Sequence, residues 1–168
     1  MSMFRAVLIT LITCLSISCG GESKEETVLK AVAFESADEC HLCGMIIEGF
    51  AGPKGAATSK TDTHVRKFCS TRDLFSYYLD PENKRNVKTL LVHDMGTVPW
   101  ETPDDELMIN AEAAWYVVGS SQKGAMGSTL ATFGDKGIAQ TFAEQFGGEV
   151  LSFEQITFDH IAASHDHH

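Results

Sequence analysis

Apolar and polar residues alternate over several short stretches of this chain, and two longer segments repeat their apolar positions at helical spacing. Residues 28–34 alternate through Val28, Lys30, Val32 and Phe34 and predict a first strand. Residues 56–60 and 64–68 are expected to pair as a hairpin, turned at 61–63. After Ser70 the apolar residues Leu74, Phe75, Tyr78 and Leu79 share one helical face. Ser70 followed by Asp73 resembles a capping box, with Asp in place of the usual Glu or Gln. Asp80-Pro81 is expected to end that helix. Residues 87–93 read as the clearest interior strand and 113–118 as a second. Residues 129–133 predict another strand. A helix over 135–146 follows, with Ile138, Ala139, Phe142 and Phe146 on one face, stopped by Gly147-Gly148. Val150 and Leu151 suggest an edge strand, and residues 153–161 a final helix.

The two helical segments echo each other. Phe68 precedes the first and Phe133 the second, and each lies between expected strands. The pattern predicts an α+β fold of two similar small strand–helix–strand modules packed side by side, over residues 28–161. An ordinary α+β domain without internal repetition is the alternative.

The start of the chain carries a different pattern. A short basic head, an apolar run over 6–17 and the small residues Ser18-Cys19-Gly20 read as an export signal over 1–18. Ile17 and Ser18 suit a bacterial lipoprotein signal with Cys19 as the lipidated residue; Ser16 departs from it, since Leu is usual there. Residues 19–27 are rich in Gly, Ser, Glu and Lys and are expected to be a flexible tether. Residues 162–168 form a His-rich tail.

Composition narrows the function classes. The chain has 168 residues, 43% of them hydrophobic, which suits one domain with a real core. Its formal net charge of -10, with no basic patch, argues against nucleic acid as a partner. No nucleophile elbow and no phosphate-cradling Gly-rich loop appears.

The densest chemistry is Cys40-His41-Leu42-Cys43-Gly44-Met45. Two thiols, an imidazole and a thioether in six residues suit a soft ion such as Cu(I). Cys43 and Met45 reach one ion either through a turn at Gly44 or from one face of a strand. Met126 and Met95 sit in Gly-flanked turns and are distant sulfur candidates. A Cys-x-x-Cys redox pair, a zinc knuckle completed by Cys69 with His64 or His93, and plain structural cysteines stay open on spacing alone. With Cys19 lipidated, an odd set of three thiols remains in the mature chain, which flags a free thiol or a metal ligand.

These motifs resemble the NosL family of nitrous oxide reductase accessory proteins. The resemblance runs through Ser18-Cys19-Gly20, the Cys40–Met45 stretch, Phe68–Tyr78, Ala113–Ser120, Met126-Gly127, Phe133 and Phe146-Gly147-Gly148. It implies a Cu(I)-binding metallochaperone rather than an enzyme. Such a protein would deliver copper for the copper-sulfide centre of nitrous oxide reductase, with a membrane transporter complex nearby. It implies a fold of two related α/β modules. It implies a bacterial periplasmic location, with lipidated Cys19 in a membrane and the outer membrane as the expected host. The metal ligands it implies are Cys43, Met45 and Met126, with Cys40 and His41 as secondary candidates. Cys69 stands where many members are expected to lack a cysteine. The competing functions are a periplasmic thiol–disulfide reductase acting through Cys40 and Cys43, and a structural zinc-knuckle protein. The His-rich tail has no place in the family pattern and reads either as a metal-capturing arm or as a solvated end.

Overall fold

The structure, a computed structural model, describes residues 32–162. The expected signal over 1–18, Cys19, the tether over 19–27, residues 28–31 of the expected first strand and tail residues 163–168 lie outside the described residues.

Two antiparallel sheets organise an α+β fold. In the first, β1 (Gly55–Ser59) lies between β2 (Val65–Phe68) and β3 (Val87–His93), and β4 (Met108–Asn110) extends the sheet beyond β3. Register runs through Gly55 opposite Phe68 on one side and opposite Val92 on the other. Helix α1 (Thr71–Tyr78) follows β2 directly, capped by Ser70, whose Oγ accepts the Asp73 N–H at 3.1 Å. It buries Leu74 and Phe75 against the sheet. Gly55 is required for that approach, because a Cβ there would meet Leu74 at 2.7 Å.

In the second sheet β5 (Trp115–Val118) is central, flanked by β8 (Ala131–Phe133) and β9 (Glu149–Ser152). Between β5 and β8 a small hairpin of β6 (Lys123–Gly124) and β7 (Gly127–Ser128) projects Met126 at its turn. Helix α3 (Lys136–Phe146) connects β8 to β9 and is capped by Asp135, whose carboxylate accepts the Ile138 N–H at 3.0 Å. Tyr116, Phe75 and Phe153 pack ring against ring where the two sheets and α1 meet.

Several expectations need correction. Residues 32–34 form no strand: the Phe34 N–H is taken by the Asp105 carboxylate at 2.8 Å and Lys67 Nζ donates to the Ala33 carbonyl, so side chains satisfy this backbone instead of a ladder. Pro81 does not merely stop α1. It opens a second helix, α2 (Pro81–Asn86), at the first-turn position where a missing N–H is harmless, with Asp80 as its cap. The final helix is broken: a 3-10 turn at Phe153–Gln155 closes on Ser152 with a capping box, Ile156 is extended, and only α4 (Phe158–Ala162) is α-helical. Strand β5 begins at Trp115 because Ala111–Ala113 wind into a 3-10 turn capped by Asn110.

Candidate metal centre

The Cys40–Met45 stretch is a tight loop tied to the first sheet. Cys40 N–H donates to the Met45 carbonyl and Gly44 N–H to the Cys40 carbonyl, both at 2.8 Å. Gly44 takes φ +73°, a conformation that favours glycine. Glu39 and Ile46 form a bridge beneath the loop, and His41 N–H donates to the Lys67 carbonyl of β2 at 2.8 Å. The loop is thereby held over the end of β2, where Cys69 sits between the strand and the cap of α1.

This brings together Cys40, Cys43, Cys69 and Asp73, with one ligand atom from each lying within 4.8 Å of the others. Cys43 Sγ lies 3.6 Å from Cys69 Sγ. Asp73 Oδ2 lies 3.4 Å from Cys40 Sγ and 3.5 Å from Cys69 Sγ, and accepts from either thiol while it is protonated. Cys40, Cys69 and Asp73 are buried, and Cys43 is half-buried at the open side. All three cysteines are free thiols.

The thiols share their charge. A hydrogen bond from Cys69, helped by backbone N–H groups of the loop, holds the Cys40 thiol down to about 5 against its burial. The same hydrogen bond, then burial and the Asp73 charge, push Cys69 well above the ordinary thiol range. Burial raises Cys43 as well. The first proton therefore leaves this group readily and the later ones leave only if a cation replaces them.

Of the residues singled out from sequence, Cys40, Cys43 and the zinc candidate Cys69 meet in this group. Met45 is 38% and Met126 50% exposed, with Met126 at φ +62°. Next to Met126, Ala125 is buried in the same core cluster as Cys40. His41 is exposed and turns its ring edge-on to Phe68 and Tyr77 at 5.9 and 5.4 Å. The zinc partners His64 and His93 are elsewhere. His64 lines a polar groove of about 520 Å³ with His41, and His93 is buried against Asp105 at 3.1 Å. Sequence reasoning missed Asp73 as a partner, because its backbone explained it as a cap. Its position one helical turn after Cys69 was the available signal.

A set of three thiols and a carboxylate is soft enough for Cu(I) or zinc and unsuited to magnesium or calcium. Cys40 and Cys43 do not start a helix, so the helix-terminus stabilisation of a reactive Cys-x-x-Cys thiolate is missing from this loop. Among the described residues no helix is long and apolar enough to cross a membrane.

The NosL family model matches residues 31–161. The chain is 49% identical to the copper-binding lipoprotein NosL of Stutzerimonas stutzeri, covering 82% of this chain and 72% of that one. It is 31% identical to the protein of the same description from Achromobacter cycloclastes, over 91% of this chain and 80% of that one. Its fold is similar to the crystal structure of the copper chaperone NosL from Shewanella denitrificans, with a TM-score of 0.74 and 54% identity, covering 76% of this chain and 95% of that one. With matched sequence across the whole described domain and a matching fold, the chain belongs to the NosL family.

Proposed function

We propose that this protein is a Cu(I)-binding metallochaperone, not an enzyme. Its role is to deliver copper for assembly of the copper-sulfide centre of nitrous oxide reductase, handing over to that enzyme or to its assembly machinery, including a membrane transporter complex. The observation that carries the reading is the convergence of three thiols on one point in a NosL-family chain, with one of them, Cys43, at the open side. Buried Cys40 and Cys69 keep the ion from solvent, while Cys43 gives a partner's sulfur a place to displace a ligand. In this reading the exposed Met45 and Met126 are the neutral thioether donors. Asp73, a hard donor, orients thiols rather than binding a soft ion. The relatives' description as copper-binding lipoproteins supports the same reading. The word lipoprotein in that description supports a lipid anchor; this reading puts the anchor at Cys19 and the protein in the periplasm on the outer membrane, facing a partner on that side.

A zinc reading is favoured by one observation: Asp73 completes four ligand atoms, the number a closed structural zinc site needs. Anaerobic loading of the full chain with Cu(I) and zinc in competition separates the two. Retention of Cu(I) against equimolar zinc supports the chaperone; exclusive retention of zinc overturns it.

We read the two sheets as related modules. In each, the first strand is central, the next lies on one side, a helix follows, and the third lies on the other side. The Phe68–Gly55 and Phe133–Trp115 pairs occupy matching positions. The loop entering each module makes the same backbone bond, His41 N–H to the Lys67 carbonyl at 2.8 Å and Met95 N–H to the Thr132 carbonyl at 2.9 Å. In this alignment the thiol group belongs to the first module only: Gly134 matches Cys69 and Ile138 matches Asp73.

A further inference from the structure

Lys54 is 6% exposed and its ammonium donates to one neutral acceptor, the Phe50 carbonyl, at 2.8 Å. An ammonium has three N–H donors, and among the described residues no carboxylate lies within ion-pair distance of this one. The other buried cation at the site, Arg72, is engaged by Asp73 at 3.9 Å. Burying an unpaired charge is costly, so Lys54 needs a reason.

The strand register supplies one. Gly55 pairs with Phe68 and with Val92, so one residue further along the ladder Lys54 lies between Cys69 and His93. That register is kept by a backbone bond from the His93 N–H to the Lys54 carbonyl, and the Lys54 N–H donates to the His93 ring Nδ1 at 3.1 Å. Burial lowers the affinity of the ammonium for its proton; the negative charge of Asp105, and then that of Cys69 once it is a thiolate, oppose that effect. The corresponding row of the second sheet holds Gly134, Ala114 and Phe153, none of them charged. The sheet geometry itself therefore does not call for a lysine.

We propose that Lys54 is a positioning residue of the metal centre: its buried ammonium offsets the negative charge that Cys40, Cys43, Cys69 and Asp73 gather around a monovalent soft cation, and so sets how tightly that cation is held. Each thiol that binds gives up its proton, so three thiols that take one Cu(I) leave the group, with Asp73, more negative than before binding, and a buried cation stabilises that bound state. A nearby buried cation that makes no bond to the ion corrects the balance without occupying a ligand position. The inference rests on the copper reading above and deepens it.

The test compares the full chain with Lys54→Gln, Lys54→Met and Lys54→Arg. Cu(I) affinity is measured anaerobically by competition with a chromophoric Cu(I) chelator, and unfolding midpoints are measured in urea. Lys54→Gln keeps N–H donors on the side chain and removes the charge. It should lose Cu(I) affinity by about tenfold, as expected for one charge acting through a partly polar interior. Lys54→Met should lose as much while its urea midpoint stays level or rises, since an apolar chain replaces a buried charge. Lys54→Arg should keep most of the affinity. A purely structural lysine would instead lower midpoint and affinity together. Wild-type affinity in folded Lys54→Gln, or a drop in affinity that tracks the midpoint across all three variants, overturns the proposal while leaving the copper reading standing. Failure of the wild type to take up Cu(I) overturns both.

Discussion

Cys43 Sγ and Cys69 Sγ lie 3.6 Å apart although 26 positions separate them in sequence. The contact exists because the loop carrying Cys43 is fastened to the Lys67 carbonyl while Cys69 follows β2 by one residue. It gives a cysteine outside the Cys-x-x-Cys motif the same standing as those inside it. Cys69→Ser should therefore weaken Cu(I) binding by at least the ~10- to 100-fold typical of losing even an outer partner of a metal site. Asp73→Asn should cost less than Cys69→Ser, because it removes an acceptor for thiols and not a sulfur donor. Chelator competition on both variants checks the order; a Cys69→Ser affinity equal to wild type removes that residue from the site.

The exposed thioethers should contribute in a graded way. Cys43→Ala brings the largest loss, since it removes a thiolate's charge together with its softness. Met45→Ala and Met126→Ala remove neutral donors and should each cost less. Alanine at His165, His167 and His168 should cost least. The same titration ranks all of them, and a tail variant more damaging than Met126→Ala would contradict the order.

The packing of α1 on β1 makes its own prediction. A Cβ at Gly55 would lie 2.7 Å from Leu74 Cδ2 and 3.1 Å from Leu74 Cβ, so the Leu74 side chain must move and α1 must give way at that residue. Gly55→Ala should destabilise the fold by about 1–3 kcal/mol. It should also disturb copper binding, because Asp73 rides on that helix. Urea unfolding reads the first effect and chelator competition the second.

His93 gives the fold a defined acid weakness. Burial, and next the Lys54 charge, hold its pKa at about 4 against an ordinary 6.5, so the folded state keeps it neutral. Between pH 6.5 and 4 the unfolded chain binds the proton and the folded one does not. Stability is then fully present above 6.5 and falls as pH drops toward 4, by up to about 3 kcal/mol from this group. His93→Gln should flatten the decline of the unfolding midpoint across that window relative to wild type. Equal slopes would assign the acid sensitivity to other groups.

Much of this was legible from the residues, and the parts that were not share a physical cause. Strand β3 was read with its observed limits because it is long and flanked by turn-forming residues. Helices α1 and α3 were read from their caps and apolar faces. Strand β4 was missed because three residues carry no period and its existence depends on pairing with β3. The segment at Phe34 looked like a strand because local alternation cannot show that Asp105, 71 positions away, takes its N–H. The centre divided the same way. Cys40 and Cys43 were evident from local spacing, whereas Cys69 and Asp73 join them only through the β1–β2 hairpin and the first turn of α1. Family resemblance pointed to the loop and away from Cys69.

The most direct test of the account is copper X-ray absorption on the full chain loaded with Cu(I) under anaerobic conditions, for wild type and for Cys43→Ala. The account predicts a first shell dominated by sulfur, at the two or three ligands a Cu(I) thiolate site takes, with sulfur amplitude lost in the variant. A first shell made only of nitrogen and oxygen, unchanged by Cys43→Ala, would contradict it and assign the metal to the histidines.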